Sequence, residues 1–274
     1  MNTLHNTADL LPIVINAALT AGDATLTVYN ADFEVEEKAD HSPLTLADRR
    51  SHDIIARDLK KTGIPVLSEE GREISFDERS KWPLLWIVDP LDGTKEFVKK
   101  NGEFTVNIAL VLNRRPILGV IYVPVTGMLY FAEKNRGAFS VLRQEMPSGW
   151  EGRFPVLETA AQKLPLEKNT KRPYTVMGSR SHATPELALF VEEKKRLHGE
   201  VDFISAGSSL KFCRIAEGFA DVYPRMGPTM EWDTAAGQII AEKAGAVVHE
   251  YHTRTPLTYN KPDLKNPWFI VERT

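Results

Sequence analysis

Apolar positions along the chain fall into three regimes. Leu10, Val14, Ala17, Ala21 and Val28 recur at helical spacing within residues 7–30 and predict one amphipathic helix, weakened slightly by Gly22. Ile54, Ile55 and Leu59 form a second helical stripe, opened by Thr45 and Asp48 as a capping-box variant and stopped by Gly63. After a short strand at 64–67, the apolar run Trp86, Ile87, Val88 leads into Asp89, Pro90, Leu91, Asp92, Gly93 and Thr94, where Pro90 and Gly93 predict a turn. From Phe104 onward the pattern is that of strands, at 104–112, 117–123 and 128–132. NRRP and PVTG separate them and KNRG follows, which predicts an antiparallel meander.

Residues 143–173 are rich in Pro, Lys and Glu without a firm period, and read as the link, with room for one or two short strands, between an N-terminal half, 1–150, and a C-terminal half, 151–274. In the second half, strands at 174–177, 201–204, 221–223 and 268–271 alternate with helices at 185–197, 209–219 and 232–244, which predicts an α/β layer.

Composition narrows the function classes. At 274 residues, 42% hydrophobic and 26% charged, the chain is long enough for a large core. A formal net charge of -3 leaves no basic footprint for a nucleic-acid polymer. The single cysteine, Cys213, lies in an apolar helical pattern and reads as packing in a reducing compartment. The apolar run from Leu10 to Ile15 follows no basic segment and is interrupted by Pro12 and Asn16, so neither a signal peptide nor a membrane span is expected.

Candidate chemistry begins with Asp89 and Asp92, two carboxylates beside a turn, an arrangement suited to a hard cation; a surface turn with incidental acids explains them equally simply. Glu69 and Glu70 leave a strand about twenty residues earlier; a solvated loop is their simpler reading alone, and the nearby turn makes a third ligand credible. Asp48 and Asp233 each open a helix, a place where an acid also serves the helix dipole. Gly178 to His182, with Ser181 and His182, sits at a strand exit before a helix and suits an anion, although helix capping accounts for the hydroxyls too. Gly207, Ser208, Ser209, Leu210 and Lys211 repeat that arrangement, and a lysine in a first helical turn opposes the dipole unless an anion lies between. Arg225 follows a strand end, where a surface charge is the simpler reading.

An EF-hand is excluded, because the positions after Asp89 do not follow its ligand order. A covalent aspartyl-phosphate enzyme wants its two acids one residue apart, whereas Asp89 and Asp92 are three apart. Hydrolysis by metal-activated water remains.

WIVDPLDGT, with SEE before it and WDTAAG after it, resembles the inositol monophosphatase family of magnesium-dependent, lithium-sensitive phosphatases over nearly the whole chain. The strings KADHSPLTLAD, DPLDGTKEFVKKNGEFTVNIALV, GSRSH and GSSLKFC are similar to its CysQ-type branch, the 3′(2′),5′-bisphosphate nucleotidases. Inositol monophosphatases carry Asp where Leu44 stands and usually Thr-Asn where Lys95 and Glu96 stand. The resemblance implies a mixed α+β and α/β fold in α-β-α-β-α layers, with a large antiparallel sheet first and a mixed sheet second. It implies Mg²⁺ as cofactor, in two sites with a third left open: Glu69, Asp89 and the Leu91 carbonyl on the first ion, and Asp89, Asp92 and Asp233 on the second. Thr94 and Asp48 would orient and deprotonate the attacking water, with Glu69 assisting. Gly93 and Thr94 amides would face the scissile phosphate, and Ser181 or His182, Ser208, Lys211 and Arg225 would hold the rest of the nucleotide. The implied reaction takes the 3′-phosphate from 3′-phosphoadenosine 5′-phosphate, or from its sulfated form, a step of sulfur metabolism. An inositol monophosphatase-like sugar phosphatase and a non-catalytic nucleotide-binding regulator are the alternatives. The resemblance also implies a cytoplasmic enzyme, with peripheral attachment to the inner membrane's cytoplasmic face left open, acting on a small nucleotide; the family often dimerises.

Overall fold

Two sheets and three helical layers make up the protein, whose computed structural model describes residues 7–31, 46–150, 153–166, 172–179 and 184–274. In chain order the first half gives α1 (Thr7–Tyr29), α2 (Leu46–Lys60), β1 (Val66–Ser68), α3 (Phe76–Arg79), β2 (Leu84–Asp92), α4 (Thr94–Val98), β3 (Thr105–Leu112), β4 (Arg115–Val123), β5 (Met128–Glu133) and β6 (Gly137–Leu142). Then follow α5 (Phe154–Ala160), β7 (Gln162–Lys163), β8 (Tyr174–Ser179), α6 (Pro185–His198), β9 (Val201–Ala206), α7 (Leu210–Glu217), β10 (Val222–Arg225), α8 (Ala235–Lys243), β11 (Ala246–Glu250) and β12 (Phe269–Arg273).

Strands β1 to β7 form one sheet in sequence order, with β1 parallel to β2 and each later strand antiparallel to the one before it. The second sheet has the order β11-β12-β10-β8-β9 and mixes both directions. Both expected sheets are therefore present. Strand β6 and strand β11 lie outside the predicted segments, and the stretch read as a link contains α5 and β7.

The layering follows from strands that are apolar on both faces, since such strands need cover on each side. Trp86, Val88, Val106, Ile108, Val120 and Tyr122 share a core with α1, α2 and α5. Leu85, Ile87, Ala109 and Ile121 on the opposite face share a core with α7, α8 and the second sheet. Val176, Val222 and Ile270, on the far side of that sheet, pack with Phe190 of α6. The order is helix, sheet, helix, sheet, helix, as the resemblance implied. By length and composition α1 would span a membrane, but it packs as a core helix, with Leu11, Val14, Ile15, Ala17 and Ala18 fully buried.

Helix α8 lies unusually close to β4. A Cβ on Gly119 would stand 2.4 Å from Ile239 Cγ2 and 2.8 Å from the Ala236 carbonyl. Absence of a side chain there lets the start of α8, next to Asp233, approach the first sheet.

Candidate active site

Asp89 and Asp92 lie on a bulged strand rather than in the turn expected from Pro90 and Gly93. Strand β2 continues through Asp92, with Asp89 opposite Asn107 and Asp92 opposite Thr105, so three steps on β2 match two on β3. Pro90 cannot donate to a ladder, and Asp89 Oδ1 accepts instead from the Leu91 amide at 3.0 Å. In a regular strand, residues three apart face opposite sides; the extra residue turns both carboxylates to one side. Gly93 then takes φ +93°, in the left-handed region, and starts α4 with Thr94 as its first residue.

Register brings the other acids to this point. Ser68 of β1 pairs with Val88, and the Glu69 amide donates to the Val88 carbonyl at 3.1 Å, which sets Glu69 beside Asp89. Asp48, in the first turn of α2, is buried, and its helix is fastened to the bulge by Ser51 Oγ donating to the Pro90 carbonyl at 2.6 Å. Asp233 ends a 3-10 turn, Glu231–Asp233, just before α8, and its Oδ2 accepts from the Met230 amide at 2.9 Å.

Two residues that the sequence did not single out as site residues hold this arrangement together. Ser209 Oγ lies 2.7 Å from Asp92 Oδ2 and 2.7 Å from the Asp233 carbonyl, sharing its proton between them. Asn107 Nδ2 donates to Ser209 Oγ at 2.9 Å and to Asp92 Oδ2 at 3.2 Å. An amide inside the otherwise apolar strand TVNIALVL was the available signal, because a buried polar group requires partners.

Electrostatics mark the site as strained until a cation enters. Asp89 is raised well above the ordinary carboxylate range by burial, then by the charges of Glu69, Asp92, Asp233 and Asp48. Burial also raises Asp92, against hydrogen bonds from Ser209 and Asn107 and the Lys211 charge. Asp233 is pushed up to about 7 by burial and then Asp92. Glu69 is pushed up to about 8, by desolvation of its carboxyl first and then by Asp233 and Asp92. Glu69 as a residue is exposed, so water screens part of the push. Among the described residues none of these four acids is in a salt bridge.

Four carboxylates that form no salt bridge among the described residues fit a hard divalent cation, and the all-oxygen donor set fits magnesium. No three acidic, histidine or cysteine side chains among the described residues close around one point. Asp92 and Asp233 line one cleft, and the charges of Glu69 and Asp89 act on each other and with these two, as suits a cation that keeps much of its own water.

A cationic wall faces this acidic floor. Asp92, Asp233, Lys211 and Arg225 line one cleft together with Gly93, Ser208 and Glu96. Lys211 is almost fully buried and its Nζ donates to the carbonyls of Ala206 at 3.1 Å and Ser208 at 2.6 Å; burial pulls its ammonium down to about 8. Arg225 donates from Nη2 to the Pro228 carbonyl at 2.9 Å, while its buried Nε has no partner. Ser208 holds φ 42°, unusual without a glycine, and its buried Oγ is also unpartnered. Of the predicted residues, Asp92, Gly93, Ser208, Lys211, Arg225 and Asp233 line the cleft, Asp48, Glu69 and Asp89 lie close enough for their charges to act on one another, and Leu91 and Thr94 only flank Asp92 and Gly93 along the chain. Ser181, His182 and the capping residue Thr45 lie outside the described residues.

Fold and site define a class: layered α/β proteins in which an acidic, cation-hungry floor and a cationic wall meet where two sheets are joined. The chain belongs to the inositol monophosphatase family, whose model matches residues 6–269. Enzymes of this family are generally magnesium-dependent. The chain is 43% identical over 267 residues to the 3′(2′),5′-bisphosphate nucleotidase CysQ of Shigella flexneri, covering 96% of this chain and 99% of that one. With CysQ of Escherichia coli strain K12 the identity is 42% at the same coverage. The crystal structure of CysQ from Bacteroides thetaiotaomicron superposes with a TM-score of 0.88 at 48% identity, covering 99% of both chains. An inositol monophosphatase of Thermotoga maritima, at 22% identity and a TM-score of 0.69 over 94% of this chain and 89% of that one, shares the fold.

Proposed function

We propose that this chain is a magnesium-dependent 3′(2′),5′-bisphosphate nucleotidase that releases the 3′-phosphate of 3′-phosphoadenosine 5′-phosphate, leaving AMP. The observation that carries this reading is the single cleft with Asp92 and Asp233 on one side and Lys211 and Arg225 on the other. One side suits a cation-bound scissile phosphate and the other a second phosphate. High identity to CysQ over nearly the whole chain supports the choice of nucleotide.

Glu69, Asp89 and the Leu91 carbonyl would hold one Mg²⁺, and Asp89, Asp92 and Asp233 a second. When bound, magnesium supplies neutralisation of phosphate charge and a water acidic enough to attack near neutral pH. The chain's own residues do the rest. Thr94 and Asp48 are the residues that would orient the attacking water, and Asp48, buried near the other acids, would be the base for its proton. Gly93 and Thr94, at the start of α4, would offer their amides to the phosphate that leaves. Lys211 and the free Nε of Arg225 hold the 5′-phosphate, and Ser208 donates its unpartnered hydroxyl.

Purified protein with Mg²⁺ is expected to release phosphate from 3′-phosphoadenosine 5′-phosphate far faster than from inositol 1-phosphate or fructose 1,6-bisphosphate, and EDTA is expected to stop it. The reverse ranking would overturn the assignment.

A further inference from the structure

We propose that Glu96 is a specificity-determining residue: its carboxylate accepts a hydrogen bond from the ribose hydroxyl next to the leaving phosphate, and so selects ribonucleotides over 2′-deoxyribonucleotides. This inference rests on the nucleotidase reading above and adds which part of the nucleotide is read.

Glu96 lies in α4, three residues after Gly93, half-buried on the lining of the cleft. Its Oε2 is 3.3 Å from the place a Cβ on Gly93 would occupy, and its Cγ is 2.7 Å from the same point on Gly207. The side chain is therefore wedged between the two loops that wall the cleft, with its carboxylate over Gly93. Among the described residues this carboxylate accepts no hydrogen bond and forms no salt bridge. Neighbouring Glu103, by contrast, accepts from the Gly207 amide at 2.9 Å through Oε2.

A carboxylate offers acceptors only. A phosphate also presents acceptors and negative charge, so Glu96 repels both phosphates of the substrate. A nucleoside bisphosphate has two kinds of donor left, the remaining ribose hydroxyl and the amino group of the base. Position decides between them. Glu96 stands over the glycine assigned to the leaving phosphate, and the hydroxyl on the adjacent ring carbon is the donor closest to that phosphate. The cis relation of the two ring oxygens gives the same contact when the phosphate is on the 2′ position and the hydroxyl on the 3′. One carboxylate thus serves both isomers, while a sugar lacking the hydroxyl leaves it facing an empty space.

The test measures kcat/KM for adenosine 3′,5′-bisphosphate and for its 2′-deoxy counterpart with wild type, Glu96→Gln and Glu96→Ala. Wild type is expected to favour the ribonucleotide by about 10- to 100-fold, the range for a hydrogen bond to a charged group. Glu96→Ala is expected to bring the ratio near one by slowing the ribonucleotide alone, and Glu96→Gln, whose amide oxygen still accepts, to keep part of it. Equal rates for both sugars in wild type would overturn the inference, as would a ratio that survives Glu96→Ala. Equal loss on both substrates with a raised Mg²⁺ requirement would also overturn it, by placing Glu96 on the metal side. If a variant fails to fold in a thermal melt, the wild-type pair of rates decides. Turnover of neither nucleotide, with sugar phosphates still hydrolysed, would instead remove the nucleotidase reading itself.

Discussion

The Ser209 hydroxyl, from the C-terminal half, stands 2.7 Å from the Asp92 carboxylate of the N-terminal half. That same oxygen reaches the Asp233 backbone carbonyl, so one small side chain ties the Asp92 carboxylate to the backbone that carries Asp233. Ser209→Ala is expected to raise the Mg²⁺ concentration for half-maximal activity about 10- to 100-fold, the usual cost of losing a group that orients a metal ligand. Mg²⁺ titrations of activity and of Tm would measure it. An unchanged Mg²⁺ requirement would show that Asp92 needs no such support.

Removing metal ought to make stability depend on pH in a defined direction. Glu69 is raised to about 8 and Asp233 to about 7, whereas unfolded carboxylates titrate near pH 4. Between about pH 4 and 8 the folded, metal-free chain holds protons that the unfolded chain has released, so its stability falls as pH rises through that window. Thermal melts after EDTA treatment are expected to show Tm declining from pH 5 to 8, and saturating Mg²⁺ to remove most of the slope. Asp89→Asn should flatten the metal-free slope as well, because it deletes a buried charge, while cutting turnover by at least about 100-fold. A metal-free Tm that rises over this range contradicts the account.

Lys211 is predicted to affect binding and structure together. Its Nζ is tied to two carbonyls of the loop that carries Ser208, so Lys211→Ala removes a phosphate partner and loosens that loop. KM for the bisphosphate is expected to rise about 10- to 100-fold, with a smaller change in kcat. A substrate lacking the 5′-phosphate is expected to lose much less. Equal effects on both substrates would limit Lys211 to holding the loop.

Gly119 is remote from the chemistry but sets the height of α8. Gly119→Ala puts a methyl group against the Ala236 backbone and Ile239, at a cost of about 1–3 kcal/mol. Because Asp233 precedes α8, both Tm and Mg²⁺ affinity are expected to fall. A stable variant with normal Mg²⁺ affinity would show that the helix start is free to adjust.

Much of the architecture was readable from local patterns. The meander from Thr105 to Glu133 and the alternation in the second half rest on side-chain periods that neighbouring residues impose. Segments missed were those whose pattern is short or interrupted. Strand β6 begins at Gly137, inside the KNRG stretch that punctuates the chain as a turn, and is only six residues long. Strand β11 has only five residues, directly after the glycine that ends a helix. The bulge at Pro90 looked like a turn because proline and glycine punctuate either one; pairing with Asn107 and Thr105 is what distinguishes them.

Alone, the chain determined its residue types and local geometry: acids at strand exits and helix starts, a proline that breaks a ladder, a glycine able to take positive φ, and small polar residues where an anion would fit. These depend on interactions within a few residues. Tertiary structure decided which of those residues meet. Parallel register of β1 on β2 put Glu69 beside Asp89, the extra residue in β2 turned Asp89 and Asp92 to one side, and close packing of α8 on Gly119 brought Asp233 across to Ser209. Such distances are set by long-range register and packing. No local pattern encodes them, so Asn107 and Glu96, and the contact of Ser209 with Asp92, became visible only in the folded chain.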